Sequence, residues 1–340
     1  MLNLTGRLFN SLRGSSLKLL TLAGTILLVW GIVSPVGTLV WWVNEGAENL
    51  GLTKKGPRKL TGDRSNPVDK TSSINCYIVF LTGVGDFSAN QLTPGEEIFL
   101  NRLKQEHPNC VTVRDVFPYS VANESLGGER LLAPLWRFAD EAEGWLGMAN
   151  VLIKIRNLWR FAISADNRYG PIYNQGIAFA IIDRMQAAHP IPQSSNQLFK
   201  LILIGTSGGA QVALGATPYL NRWVPDAQIV VISIGGVFAG TDGFNVAKHV
   251  YHLHGSRDWV DNIGQIVFPS RWSWTVGSPF NQALQEDRYT VRMSGPHEHD
   301  GEQGYFGENF VKANDTRYVD LTIQEVNQLP IWSNKKHKVQ

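Results

Sequence analysis

Six short runs rich in apolar residues, separated by helix-forming segments, constrain the fold of this chain more than any other feature. The first run, Cys76–Thr82 (CYIVFLT), is apolar almost throughout and ends at Gly83. Such a run is typical of a strand covered on both faces. The other five are Cys110–Phe117, Leu198–Ile204, Ala227–Ile234, His249–His254 and Tyr289–Met293. Because helical segments such as Pro94–His107 and Ile177–Ala188 lie between them, the sequence predicts an α/β domain with a doubly wound, mostly parallel sheet.

The stretch from 120 to 175 interrupts this alternation. It is long for a connection between strands and is rich in aromatic residues. Within it, six residues share one helical face. They are Val151, Leu152, Ile155, Leu158, Trp159 and Ala162. The stretch therefore predicts an inserted helical hairpin, which is either ordinary packing or a lid over a pocket that also dips into a membrane surface.

The N-terminal part of the chain has a different composition. From Leu19 to Val43, 25 consecutive residues include no Asp, Glu, Lys, Arg or His. About 20 apolar residues cross a bilayer as a helix, so we expect a transmembrane helix over about 19–43, kinked or split at Pro35, within an N-terminal segment 1–45. A buried core helix and a cleaved signal peptide are the alternatives. Lysines and arginines lie on both sides of the run, which leaves the membrane orientation open.

Domain boundaries follow from composition. Residues 46–73 are polar, with Gly, Pro, Lys and Ser, and are typical of a linker. The α/β domain is expected over 74–330, with a short tail at 331–340. The sequence thus predicts a single-pass protein held at a membrane by its N-terminus.

Charge and cysteine content exclude several other classes of protein. The chain has 31 Lys+Arg and 29 Asp+Glu, a net charge of +2, which argues against a nucleic-acid-binding protein that neutralises phosphates. The two cysteines, Cys76 and Cys110, are too few for a disulfide framework. We expect two free thiols in the core, with one bridge as the alternative.

The sequence Gly205-Thr206-Ser207-Gly208-Gly209 carries the chemistry. This G-x-S-x-G pattern stands between an apolar strand and a helix of small residues. A sharp turn from strand to helix exposes the serine hydroxyl, and the flanking glycines allow the strand and helix to approach. The N–H of Gly208 is then a candidate for stabilising an oxyanion. A glycine-rich phosphate-binding turn is the alternative, although the lysine of a P-loop is missing.

A serine nucleophile needs a base and an orienting acid. Asp258 follows the run His249–His254 and is the expected acid, with Asp242 in reserve and Asp261 expected to be a solvated loop or cap residue. His299 and His297 both follow the last strand. We expect one of them to be the base, with His299 the first choice.

These residues together resemble the α/β-hydrolases, in particular serine esterases and lipases. The resemblance covers about Ser73 to Leu329 and is carried by GTSGG at Gly205–Gly209, HGSRDWV at His254–Val260 and GPHEHDG at Gly295–Gly301. It implies cleavage of an ester, thioester or amide through an acyl-serine, without a cofactor or metal. It also implies a second oxyanion N–H in the loop after the first strand, at Val84–Gly85, although the His-Gly opening of many esterases is missing there.

Two other functions remain open at this point. One is a non-catalytic α/β-hydrolase-like scaffold in a membrane complex. The other is a zinc hydrolase, because His252 and His254 share a face of one strand and a site could also include His297, His299 and Asp258. The expected substrate is a small-molecule or lipid acyl ester, with a long acyl chain favoured by the anchor and the apolar insertion. The oligomeric state is left open.

Overall fold

The computed structural model describes residues 74–85, 92–119, 146–192, 198–311 and 315–332, with only the backbone described for 146–153. The predicted transmembrane helix, the linker and residues 120–145 of the predicted insertion lie outside these ranges. Among the helices that are described, none has the length and apolar character needed to cross a membrane.

Six parallel strands form one sheet in the order β2-β1-β3-β4-β5-β6. They are β1 (Cys76–Leu81), β2 (Cys110–Val116), β3 (Phe199–Thr206), β4 (Ala227–Ile234), β5 (His249–Gly255) and β6 (Tyr289–Gly295). The predicted α/β fold with a parallel sheet is confirmed. Each strand lies within two residues of its predicted bounds, because an apolar run that is covered on both faces marks a buried strand directly.

Helices cover both faces of this sheet. In chain order they are α1 (Pro94–Glu106), α2 (Leu146–Ala165), α3 (Gly170–Ala188), α4 (Gly209–Trp223), α5 (Gly243–Val246), α6 (Ile263–Val267), α7 (Pro279–Gln285) and α8 (Tyr318–Asn327). Helices α1 and α8 pack on one face, where Phe99 and Val319 belong to the same core as Ile78. Helices α3 and α4 pack on the other face, where Ile177 and Val212 share a core with Val79 and Leu203.

The strand order creates a crevice between β1 and β3. The chain runs outward from β1 to β2 on one side of the sheet, and from β3 through β4, β5 and β6 on the other. The loops that follow β1 and β3 therefore leave the carboxyl edge of the sheet in opposite directions. Ligands bind at such a switch point in open α/β sheets.

Cys76 and Cys110 form a disulfide, so the expectation of two free thiols is wrong. The two residues face each other in the register of β1 and β2, and their Cα atoms are 4.4 Å apart. The register between two parallel strands depends on the connection that joins them. Apolar runs alone do not reveal it.

Helix α2 presents a different face to the protein from the one that its apolar pattern predicts. Leu158 and Trp159 are 49% and 43% exposed, whereas Arg156 and Asn157 are buried. The Arg156 guanidinium donates a hydrogen bond to the carbonyl of Tyr119, 3.3 Å away, and the Asn157 amide donates to a loop carbonyl at 2.9 Å. The buried side of this helix supplies donors to loop carbonyls, and part of its apolar side meets solvent.

Candidate active site

Ser207 stands on a tight turn between β3 and α4. Its φ is +47°, a left-handed conformation that is uncommon for residues other than glycine. The turn is fixed by neighbouring strands, since the Ser207 N–H donates to the carbonyl of Ile234 at 3.1 Å. The flanking glycines are required: a Cβ at Gly205 would lie 2.5 Å from Ala210 Cα, and one at Gly209 would lie 2.4 Å from a β1 carbonyl oxygen.

The three residues expected to form a triad are in contact. The hydroxyl oxygen of Ser207 lies 2.9 Å from Nε2 of His299. Nδ1 of the same imidazole lies 2.9 Å and 3.1 Å from the two carboxylate oxygens of Asp258. The Asp258 side chain is fully buried, and that of His299 is 13% exposed. An unbroken hydrogen-bonded chain thus joins carboxylate, imidazole and hydroxyl.

A tyrosine that the sequence patterns do not reveal holds the acid. The hydroxyl of Tyr305 donates to Oδ2 of Asp258 at 2.7 Å and accepts from the backbone N–H of Gly255 at 2.9 Å. The N–H of Val260 donates to the other carboxylate oxygen at 2.9 Å. Burial, and then the charge of Asp258, raise the pKa of Tyr305. Its hydroxyl therefore stays protonated and remains a donor.

The electrostatics of the acid and the imidazole reinforce each other. Burial alone would raise the pKa of Asp258, but hydrogen bonding and attraction from His299, followed by bonds from Tyr305 and Val260, outweigh it and lower the pKa. Burial alone would lower the pKa of His299, but the Asp258 carboxylate outweighs it and raises that pKa. The site favours an ionised Asp258 and stabilises a protonated His299.

His297, the second choice for the base, lies away from the serine. Its ring is completely buried, with Nε2 3.0 Å from the carbonyl of Ser294 and the ring stacked on Tyr305 at 4.9 Å. Burial lowers the pKa of His297. This imidazole packs behind the acid and does not contact Ser207.

The loop after β1 lies beside the serine. A Cβ on Gly83 would be 3.5 Å from Ser207 Cβ, and one on Gly208 would be 2.7 Å from a methyl group of Val84. The Asn157 amide holds this loop through the Val84 carbonyl. Within the described ranges, no acceptor bonds to the backbone N–H groups of Gly208, Val84 or Gly85. These three N–H groups are therefore candidates for an oxyanion site.

The amino-acid sequence matches no protein-family model, and no curated protein matches it significantly. Function is therefore inferred from the side chains and from the cleft around them.

Ser207 and His299 open into a cleft of about 570 Å³. Its lining includes five apolar side chains, which come from α2, from the loop after β4 and from the segment after β5. They are Leu158, Phe161, Val237, Val260 and Ile263. The lining also includes residues with carboxyl groups, among them Glu96, Asp300 and Glu302. The cleft beside Ser207 therefore combines apolar and acidic side chains.

A second imidazole–carboxylate cluster lies beyond Asp258. Oδ2 of Asp261 contacts both Nδ1 of His254 and Nε2 of His252, the latter at 3.3 Å, and Nδ1 of His252 lies 3.0 Å from the hydroxyl of Ser233. Asp261 is only 2% exposed, so its expected role as a solvated loop residue is wrong. The position of Asp261 in the sequence gave no sign that His252 and His254 of β5 contact its carboxylate.

Asp242, the reserve choice for the acid, is exposed and precedes α5. The carboxylate that meets His299 is that of Asp258. For the zinc site considered at His252 and His254, the described ranges contain no group of three His, Cys, Asp or Glu side chains arranged to hold a metal ion.

Proposed function

We propose that this chain is a membrane-anchored serine hydrolase with an α/β-hydrolase fold, which cleaves an ester through an acyl-serine intermediate. The observation that carries the proposal is the hydrogen-bonded chain from Asp258 through His299 to Ser207. The same order of nucleophile, acid and base along the chain is found in α/β-hydrolases.

In the proposed reaction, Oγ of Ser207 attacks the carbonyl carbon while its proton passes to Nε2 of His299. The tetrahedral intermediate collapses as the imidazolium gives this proton to the departing alkoxide, leaving an acyl-serine. Water then attacks the acyl carbon and loses a proton to the same nitrogen. As the second intermediate collapses, the imidazolium returns a proton to the departing Oγ of Ser207, which releases the acid and restores the hydroxyl. Asp258 remains ionised and stabilises the imidazolium throughout.

The oxyanion formed in both steps would be bound by the N–H of Gly208 and by an N–H of the Val84–Gly85 turn. Donors fixed in advance cost no reorganisation at the moment of reaction. Each typically contributes about 3 kcal/mol to transition-state stabilisation. Asn157 supports this arrangement because it holds the carbonyl of Val84.

The cleft supports an acyl ester as the substrate class. Its apolar lining, which includes Leu158, Phe161 and Ile263, suits an acyl chain. The predicted membrane anchor favours a long-chain or lipid ester over a small water-soluble one.

A fluorophosphonate probe tests the proposed nucleophile in the full-length chain, because it phosphonylates a serine activated by a neighbouring base. We expect wild type to be labelled, Ser207→Ala to be unlabelled, and Ser256→Ala to be labelled like wild type, since Ser256 is an exposed serine outside the site. A wild-type protein that is folded but unlabelled would refute the hydrolase and favour the scaffold.

The anchor is tested separately by extraction of membranes with alkaline carbonate. We expect the full-length chain to remain in the membrane pellet. Quantitative release into the supernatant would refute a membrane-spanning segment at 19–43.

A further inference from the structure

Five large apolar side chains are exposed on one short part of the chain, here called the rim segment (residues 259–276). Their exposed fractions range from 57% to 99%. They are Trp259, Ile266, Val267, Trp274 and Val276. Single exposed apolar residues are common on soluble proteins, but a contiguous set marks an interaction surface.

Hydrogen bonds within the rim segment and from α7 hold it in shape. The indole N–H of Trp272 donates to the carbonyl of Gln265 at 3.0 Å, and its ring lies 5.1 Å from that of Trp274. The amide of Asn281, on α7, donates to the carbonyls of Trp272 and Thr275, both at 2.9 Å. The exposed side chains therefore project from a braced support.

The rim segment borders the cleft of Ser207. Two of its residues, Val260 and Ile263, line that cleft. Phe268 contacts Phe161 of α2, with ring centroids 6.1 Å apart. Leu158 of α2, which is 49% exposed, lines the same cleft.

The segment is also nearly free of charge. Its charged residues are Asp261 and Arg271, and both are buried. The Arg271 guanidinium lies 4.2 Å from the ring centre of Phe238 and 4.9 Å from that of Phe280. Tryptophan with aliphatic neighbours and no exposed charge is the composition that favours the interfacial zone of a bilayer.

We propose that the rim segment inserts into the surface of the bilayer that anchors the chain, and so seats the mouth of the cleft on the lipid. The 28 residues of 46–73 join the predicted membrane span to the domain just before β1. For the linker predicted from their composition, 28 residues correspond to a root-mean-square extension of about 30 Å. The surface is thus kept at high effective concentration near lipid, which makes even weak insertion favourable.

Docking in this way lets an acyl chain pass from the bilayer to Ser207 along apolar walls. The proposal relies on the anchor of the proposed function. It does not require that the site be hydrolytic.

A spin label placed at position 276 tests the proposal in the full-length chain reconstituted into phosphatidylcholine vesicles. Both native cysteines are in the disulfide, so Val276→Cys supplies a single thiol for a nitroxide. Val276 is 99% exposed, and this substitution removes no packing. The matched control is Leu198→Cys, because Leu198 is 64% exposed and precedes β3 at the opposite edge of the sheet.

At each position we compare how often the nitroxide collides with oxygen, which partitions into lipid, and with a nickel chelate, which stays in water. We expect the ratio of oxygen collisions to chelate collisions to be several-fold higher at position 276 than at position 198. Adding Ile266→Ser and Trp274→Ser to the Val276→Cys variant should lower the ratio to that of the control. Equal ratios at 276 and 198 would overturn the proposal. Strong dipolar broadening between labels at 276 would also overturn it, because a second copy of the chain would then cover this surface.

The possible failures are distinguishable in the same sample. Loss of the anchor appears as release by alkaline carbonate, and loss of hydrolase activity as absence of fluorophosphonate labelling. Failure of docking appears as a retained, labelled protein whose two spin-label positions are equally exposed to water.

Discussion

Replacing Tyr305 with phenylalanine removes one hydroxyl from the least exposed part of the site. That hydroxyl donates to the buried carboxylate of Asp258 and accepts from the buried N–H of Gly255. A hydrogen bond to a charged group contributes about 1.5–3 kcal/mol, and leaving a buried donor unpaired costs about 1–3 kcal/mol. Because these effects are not fully additive, we expect Tyr305→Phe to lower the free energy of unfolding by about 3 kcal/mol.

For a domain of this size, such a change lowers the unfolding temperature by about 6–12 °C. Thermal unfolding of the full-length chain in detergent, followed by tryptophan fluorescence, measures it. The control is Tyr169→Phe, the same chemical change at a tyrosine that is 59% exposed, where we expect a change of less than about 0.5 kcal/mol.

The same variant separates support of the acid from catalysis. His299 and Val260 still hold Asp258 in Tyr305→Phe, so we expect the rate of fluorophosphonate labelling to fall by less than about tenfold. In Asp258→Asn the imidazole loses its charged partner, and we expect a fall of about 10⁴-fold. The reasoning is refuted if Tyr305→Phe and Tyr169→Phe have the same unfolding temperature.

Three further predictions concern the titration, the disulfide and the turn. Only a neutral imidazole accepts a proton, and the pKa of His299 is raised above 6.5. The labelling rate should therefore rise with pH, with a midpoint above 6.5. Asp258→Asn should move that midpoint down. Replacing Cys76 and Cys110 together by serine opens a link across 34 positions and should lower the free energy of unfolding by about 3–4 kcal/mol, measured by urea denaturation; an unchanged urea midpoint would contradict this. Gly205→Ala forces a Cβ against the backbone of α4. This variant should abolish labelling and lower the unfolding temperature. Labelling at the wild-type rate would show that the turn has room for a Cβ at this position.

The sequence predicted the strands and the position of Ser207 well because both depend on local signals. An apolar run identifies a buried strand, and glycines two residues on either side of a serine mark a tight turn. His299, Asp258 and Ser207 are distant along the chain, yet each follows a strand, and the carboxyl ends of parallel strands lie at one edge of the sheet. Their convergence could therefore be expected before the distances were known.

Features that depend on register and orientation were not predicted. The disulfide requires Cys76 and Cys110 to be opposite each other across two strands. The burial of Arg156 requires a loop carbonyl that lies 37 residues earlier in the chain. Tyr305 reaches Asp258 from a loop 47 residues away, and no local pattern distinguishes this tyrosine from others.

The left-handed backbone at Ser207 implies that stability of the fold and reactivity of the side chain favour different residues at this position. A side chain held at a φ of +47° costs about 1–3 kcal/mol relative to relaxed geometry, and glycine would relieve most of that cost. Selection for thermal resistance alone would thus drive residue 207 toward glycine, which has no hydroxyl. The serine at position 207 therefore keeps a hydroxyl in this turn at the cost of backbone strain.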